Sequence, residues 1–176
     1  MDISIGKDNA LYLHGRNLSM AIGPDLQTNV DVFFTTNGGD FVDQAGKFFR
    51  GAGEYEVQGA MVDGVSTGDK NTSYHVIADG VTLAAVSLVS VNDLSDEMLE
   101  KLEPANILVL WLKEGSAQDV AQLMSRFDAH QLIPANLPCE IDALEKELQL
   151  TRENTSKIKL NNKNYTDGIR LLTVLE

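Results

Sequence analysis

The stretch "FFRGAGEYEVQGAMVDGVSTG", from Phe48 to Gly68, carries the clearest structural pattern in the sequence. Tyr55 and Val57 alternate with Glu54 and Glu56, and successive side chains of a strand point to opposite faces of a sheet. This alternation is typical of a half-buried strand. The glycines around it allow bends and close backbone contacts. The segment is therefore predicted to be β-structure that lies partly on the protein surface.

Working outward from this stretch, the sequence divides into a strand-rich N-terminal half and an α/β C-terminal half. Up to about residue 90, short runs rich in β-branched and aromatic residues alternate with turn signals such as "GKDN" and "TNGG", which predicts a mostly antiparallel sheet. Beyond it, helical patterns such as "SAQDVAQLMSRF", with Ser116 as N-cap, alternate with apolar runs. The run Ile107 to Leu112 is apolar on both faces, which predicts a central strand. We expect a single domain spanning residues 1–176.

Composition and charge exclude several classes of partner. A chain of 176 residues with 43% hydrophobic residues can bury a substantial core. A formal net charge of -12 disfavours binding to nucleic acid or to an anionic membrane surface. Cys139 is the only cysteine, which rules out an intrachain disulfide and suggests a reducing, cytoplasmic setting. Neither a signal peptide nor a membrane span is predicted, so we expect a soluble protein.

The opening stretch closely resembles the "PGEYEVxGxxVxGI" segment of the UlaG-like, or predicted zinc-dependent hydrolase, branch of the metallo-β-lactamase fold. Ala52 stands at the proline position. The order of the later segments "NTSYHVIADGVTLAAVSL", "LEKLEPANILVLWL" and "AHQLIPANL" is also similar to that family, so the resemblance covers roughly the whole chain. It implies an α/β (α+β) protein with a metallo-β-lactamase-type αββα sandwich, in which two sheets pack between helices.

The same resemblance identifies where zinc ligands belong and shows that they are replaced. The family's "THxHxDH" motif falls on residues 35–41, where the three histidines are replaced and the aspartate is the one metal ligand retained. Its "HLGD" segment aligns with residues 85–88, and its "IPxH" segment with "IPAN". The vestigial metal-site positions are Thr36, Gly38, Asp40, Phe41, Ala85, Leu88 and Asn136. Because zinc needs about four nitrogen, sulfur or oxygen donors, we expect neither a bound metal nor another cofactor.

The remaining candidate residues each have an ordinary structural interpretation. Asp40 could be a relic ligand or a catalytic base, but an aspartate after Gly-Gly is more often a turn residue. His14, His75 and His130 lie far apart and at none of the family's ligand positions, which favours strand or surface histidines. Cys139 would have a lowered pKa if it faced a helix N-terminus, although a buried, inert cysteine is favoured.

Two functions from different classes follow from this pattern. The first is a catalytically inactive member of the fold, a pseudoenzyme that acts through binding or assembly. In that case, exposed edge strands favour a homo-oligomer or a protein partner. The alternative is a hydrolase of the superfamily with an altered or metal-free site. With no metal to face, we also expect Phe41, Ala85 and Leu88 to pack together and partly fill the cleft.

Overall fold

The structure is a computed structural model that describes residues 1–25, 29–38, 45–159 and 171–175. The strands are β1 (Asp2–Ile5), β2 (Leu11–His14), β3 (Ser19–Gly23), β4 (Val30–Thr35), β5 (Ala45–Arg50), β6 (Gly53–Val57), β7 (Ala60–Ser66), β8 (Thr72–Ala78), β9 (Val81–Leu88), β10 (Ile107–Leu112), β11 (Gln131–Asn136), β12 (Thr151–Thr155), β13 (Ile158–Lys159) and β14 (Leu171–Leu175). The helices are α1 (Asp96–Leu102), α2 (Ala117–Phe127) and α3 (Ile141–Leu148), preceded by a short 3-10 turn at Val91–Asp93.

The first sheet has the strand order β13-β1-β2-β3-β4-β5 within the described residues. β1, β2 and β3 form the predicted antiparallel meander. The prediction of antiparallel pairing is wrong for β4, which runs parallel to both β3 and β5. Val30 of β4 is paired with Ala45 of β5, so both strands begin at the same end of the sheet. A turn signal such as "TNGG" shows where the chain leaves the sheet, and it does not show where the chain re-enters it.

The second sheet has the order β12-β14-β11-β10-β9-β8-β7-β6 in the described part of the chain. β6 to β9 form an antiparallel meander, as predicted, and β10, β11 and β14 continue the sheet in parallel with β9. Every residue of Ile107–Leu112 is buried, which confirms the predicted central strand. Parallel strands need crossover connections, and the segments that contain α1 and α2 supply the crossovers from β9 to β10 and from β10 to β11.

The helices cover the outer face of the second sheet. α2 begins after Ser116, whose hydroxyl accepts from the Asp119 amide while the Asp119 side chain accepts from the Ser116 amide, so the predicted N-cap is confirmed as a capping box. Its apolar face packs with side chains of α1, α3, β9 and β10 in one buried cluster. The described helices all belong to this layer, so within the described ranges one of the two helical layers of the αββα sandwich is formed.

None of the described helices has the length and apolar character needed to cross a lipid bilayer.

The main core lies between the two sheets and has an aromatic centre. The centroid of the Phe34 ring, on β4, lies 5.0 Å from the ring centroid of Phe49 on β5. It lies 5.4 Å from that of Tyr55 on β6 and 5.3 Å from that of Tyr74 on β8. Such stacked and edge-on pairs contribute about 0.5–1.5 kcal/mol each beyond the area they bury. Phe34 therefore joins the two sheets at the end of the sandwich where β4 leaves the first sheet.

We expect Phe34→Ala to lower the free energy of unfolding by about 3–5 kcal/mol, because it removes a fully buried aromatic ring and leaves a cavity between the sheets. Phe48→Ala is the matched control, since Phe48 is only partly buried and packs in the small cluster on the outer face of the first sheet. Denaturant unfolding measures both changes. Equal losses for the two variants would contradict the assignment of Phe34 as the inter-sheet contact.

Candidate functional site

A cleft of about 290 Å³ opens at the carboxyl ends of β9, β10 and β11. It is lined by Pro24, Thr36, Asn37, Asn71, Ser87, Leu88, Val89, Trp111, Leu112, Lys113 and Asn136. These residues lie at or just beyond the carboxyl ends of β3, β4, β9, β10 and β11, or just before β8, so six elements from both sheets meet here. In open α/β sheets, ligands bind in crevices at the carboxyl ends of parallel strands, which makes this cleft the candidate site.

Thr36 is held at the cleft by its backbone. Its amide donates to the Gly23 carbonyl at 2.9 Å, and its carbonyl accepts from the Thr72 amide at 3.0 Å. One residue later, Asn37 forms an isolated antiparallel bridge with Asn71. The end of β4 is thereby attached to a neighbouring strand in the first sheet and to the start of β8 in the second. This attachment leaves the position of Thr36 little freedom.

Tyr74 secures the same junction from the second sheet. Its side chain is completely buried, and its hydroxyl donates to the Thr35 carbonyl at 2.7 Å. Burial raises the pKa of Tyr74 well above its ordinary value, and the nearby Tyr55 phenol raises it further. The phenol is therefore a neutral hydrogen-bond donor across the physiological pH range, and its role here is structural.

A β-bulge shapes the opposite wall of the cleft. The parallel pairing of β10 with β11 shifts register after Leu110, which is paired with Pro134, so that Trp111 is paired with Asn136. Bulges turn side chains to new directions and are frequent next to active sites. Here the shift places Asn136 beside Trp111, whose indole nitrogen donates to the Asn9 carbonyl at 2.7 Å. The indole is thereby held between the two sheets.

Three buried hydroxyl-bearing residues form a closed network beneath the cleft. The Thr67 and Ser73 hydroxyls lie 2.9 Å apart, and Thr67 Oγ1 donates to the Ser87 carbonyl at 2.8 Å. The Ser87 amide in turn donates to Ser73 Oγ at 3.0 Å. These bonds satisfy backbone groups of β9 at the point where an apolar strand reaches the cleft, so the network stabilises the floor of the site.

The structure brings three of the five described residues of the predicted metal site to one cleft. Thr36, Leu88 and Asn136 line the cleft. Gly38 lies in a neighbouring cavity of about 490 Å³ that shares Asn71 with the cleft. Ala85 is buried in the core between the sheets, where it is paired with Tyr74 and Val109 along the strands.

The expected apolar filling of the cleft is not found for its described members. Ala85 belongs to the inter-sheet core, whereas Leu88 belongs to the cluster beneath the helices. They cannot pack together, because residues three apart in a strand point to opposite faces of the sheet. That expectation is therefore wrong for this pair. Asp40 and Phe41 lie outside the described residues.

The histidines and the cysteine have structural surroundings. His14 is exposed at the end of β2, and His75 is buried on β8, where its Nε2 lies 3.0 Å from the Pro104 carbonyl. His130 lies just before β11. Burial raises the pKa of the Cys139 thiol, so the lowered pKa of an activated thiolate is not found.

The described residues do not fit the zinc site of the resembling family. Within the described ranges, no group of three or more His, Cys, Asp or Glu side chains converges to hold a metal ion. The vestigial positions in the cleft offer a hydroxyl at Thr36, an aliphatic chain at Leu88 and an amide at Asn136. Zinc prefers thiolate, imidazole and carboxylate ligands, so this set of donors does not match it.

Several cleft residues were not predicted from the sequence. Asn71 belongs to a turn signal, Ser87 interrupts the apolar run of β9, and Lys113 follows directly after the apolar strand β10. Polar residues at the ends of buried parallel strands are the signal that could have identified Ser87 and Lys113. Asn71 could not be found in this way, because it reaches the cleft from the start of an antiparallel strand.

No protein-family model matches the sequence, and no curated protein is similar to it at a significant level.

Solved structures resemble the whole chain in fold. A proposed Zn-dependent hydrolase of the metallo-β-lactamase superfamily from Thermotoga maritima has a TM-score of 0.78 and 14% identity, over 99% of this chain and 98% of that chain. A proposed metal-dependent hydrolase from Parabacteroides distasonis has a TM-score of 0.63 and 15% identity, over 97% and 91% of the two chains. The metallo-β-lactamase fold protein YhfI from Bacillus subtilis has a TM-score of 0.62 and 7% identity, over 99% and 96%. This protein therefore has the metallo-β-lactamase fold.

Tyr74→Phe should lower the free energy of unfolding at neutral pH by about 1–3 kcal/mol, because it leaves the buried Thr35 carbonyl without its donor. The difference between wild type and variant should shrink as the pH rises above about 10. In that range Tyr74 of the unfolded chain loses its proton, while its raised pKa keeps it protonated in the folded protein. Ionisation therefore stabilises the unfolded wild type and lowers its free energy of unfolding, whereas the variant has no phenol at this position to ionise.

Denaturant unfolding at a series of pH values measures both effects. Tyr55→Phe is the matched control, since the Tyr55 hydroxyl donates to the Gly51 carbonyl at 3.1 Å in a partly exposed position where water can replace it. The inter-sheet role of Tyr74 would be contradicted if Tyr74→Phe lowered the free energy of unfolding no more than the control does. It would also be contradicted if the difference from the wild type stayed constant above about pH 10.

Proposed function

We propose that this chain is a pseudoenzyme of the UlaG-like branch of the metallo-β-lactamase fold, which acts through binding or assembly and not through zinc-dependent hydrolysis. One observation carries the proposal. The cleft at the carboxyl ends of β9, β10 and β11 holds Thr36, Leu88 and Asn136 at positions where the resemblance expects metal ligands. The fold's cleft is therefore kept while the donors for its chemistry are replaced.

The chemistry of the lining supports the same conclusion. Metal-dependent hydrolysis uses a bound cation to lower the pKa of a water molecule, and a metal-free route needs a general base close to the substrate. The described lining residues include no imidazole and no carboxylate, and Lys113 is their only ionisable side chain. Binding needs none of these groups, because amides, hydroxyls and apolar side chains are sufficient for recognition.

Assembly and cellular setting are further parts of the proposal. Among the described strands, β6 and β12 are the outermost of the second sheet, and unpaired backbone groups along an edge strand can pair with another chain. We therefore expect a homo-oligomer or a complex with a protein partner. A reducing, cytoplasmic setting is consistent with Cys139 as the only cysteine of the sequence.

Zinc titration of the metal-stripped protein tests the proposal. We expect the wild type, after zinc loading and dialysis, to retain far less than one equivalent of zinc by elemental analysis, because the described cleft lacks the donors that zinc prefers. Asp40→Asn is the matched variant, since Asp40 is the one ligand position that keeps its residue type. Stoichiometric zinc that is present in the wild type and lost in Asp40→Asn would contradict the proposal.

An esterase assay with a nitrophenyl ester, before and after metal removal, separates the two functions. The proposal expects no turnover above the buffer rate in either state. Turnover by the metal-stripped protein that is abolished by Thr36→Val would support the alternative, a hydrolase with an altered, metal-free site, and would overturn the proposed function.

A further inference from the structure

The cleft contains a buried hydroxyl that the fold does not use. Thr36 is completely buried, yet its Oγ1 has no hydrogen-bond partner among the described residues. Its backbone amide and carbonyl are both bonded, so the hydroxyl is the one polar group of this residue left unsatisfied. A buried hydroxyl without a partner is destabilising, and such groups in native proteins are uncommon. Thr36 lines the cleft, where a bound molecule could supply the missing partner.

The polar groups around Thr36 include several hydrogen-bond donors. The side-chain amides of Asn71 and Asn136 can each donate and accept, whereas the Lys113 ammonium group only donates. A ligand that complements this lining needs hydrogen-bond acceptors.

The charges of the described cleft residues favour an anion. The chain has 26 acidic and 14 basic residues, so most of its surface repels small anions. Among the described residues of the cleft lining, however, Lys113 is the only charged side chain and there is no carboxylate. A carboxylate group bonds well to an ammonium group and to several N–H or O–H donors at once.

The apolar part of the lining limits the rest of the ligand. Leu88, Val89, Trp111 and Leu112 form this part of the cleft. The volume of about 290 Å³ lies at the small end of ligand pockets, which hold about 300–1,000 Å³. A short aliphatic or aromatic chain matches these side chains in size and polarity.

We propose that the cleft is a metal-independent binding site for a small organic carboxylate with a short apolar chain. The carboxylate accepts hydrogen bonds from the Thr36 hydroxyl and the cleft amides and pairs with Lys113, while the chain packs against Trp111 and Leu88. The inference rests on the proposed function, because it uses the positions where the resemblance expects metal ligands as a site for recognition without a metal.

The test is a calorimetric titration of the metal-stripped protein, freed of chelator, with acetate, butyrate, 4-methylpentanoate and phenylacetate. The neutral 4-methylpentanamide and inorganic phosphate serve as ligand controls. We expect 4-methylpentanoate or phenylacetate to bind more tightly than acetate and than the neutral amide. The proposal is overturned if no carboxylate of the panel binds with a dissociation constant below about 10 mM, or if the amide or phosphate binds equally well.

Variants connect the binding to the named groups. Thr36→Val and Lys113→Gln should each weaken carboxylate binding about fivefold, the effect of one hydrogen bond or exposed ion pair. Lys101→Gln is the matched control, since Lys101 is an exposed lysine on α1 that pairs with Glu97 outside the cleft. The carboxylate affinity of this variant should equal that of the wild type. Thr36→Val should leave the melting temperature of the free protein unchanged or raised, because it removes an unsatisfied hydroxyl without changing the side-chain shape.

The outcomes distinguish this proposal from the proposed function. A lowered melting temperature of Thr36→Val together with unchanged carboxylate affinity would show that the hydroxyl serves the fold, and would overturn the binding proposal alone. Carboxylate binding that appears only after zinc is added back would instead contradict both the metal-independent site and the proposed function. Binding by the zinc-free wild type that is weakened in both cleft variants supports both.

Discussion

The contact between the two sheets at Phe34 and Tyr74 is the interaction on which the site depends. Phe34 stacks within the aromatic centre, and the Tyr74 hydroxyl donates to the carbonyl of the next residue along β4, Thr35. Apolar packing brings the sheets together without fixing their exact offset, because the hydrophobic effect is not directional. A buried hydrogen bond at 2.7 Å adds the direction that packing lacks. Together they place the end of β4 over the carboxyl ends of β9, β10 and β11.

The cleft illustrates how a scaffold and its chemistry can separate. The metallo-β-lactamase fold brings the ends of strands from both sheets to one place, whatever side chains those ends carry. Here the floor is a network in which the Thr67 and Ser73 hydroxyls bond to each other and to the backbone carbonyl and amide of Ser87. Thr36 differs from that network because its hydroxyl has no partner among the described residues. In the described part of the chain, the cleft therefore combines two bonded hydroxyls in its floor with one buried, unsatisfied hydroxyl on its wall.

Elements with a strong local pattern were predicted well from the sequence. The strand Ile107–Leu112 has the predicted bounds and burial, and the helix Ala117–Phe127 begins after its predicted N-cap, because apolar run length and a capping box are properties of neighbouring residues. The fold was also predicted, through the resemblance of the segment around Tyr55. Predictions that needed non-local information fared less well. The parallel pairing of β4 and the register shift at Trp111 both depend on how distant segments meet.

By itself, the sequence determined the class of the fold and which residue types occupy the positions that the resemblance assigns to metal ligands, since both follow from the order of segments along the chain. Only the tertiary structure decided which of these positions share a cleft. It placed Thr36, Leu88 and Asn136 around one cavity, and it buried Ala85 between the sheets. The physical reason is that strand alternation assigns each side chain to one face of the sheet, but the identity of the neighbour across that face depends on sheet packing, parallel pairing and a bulge.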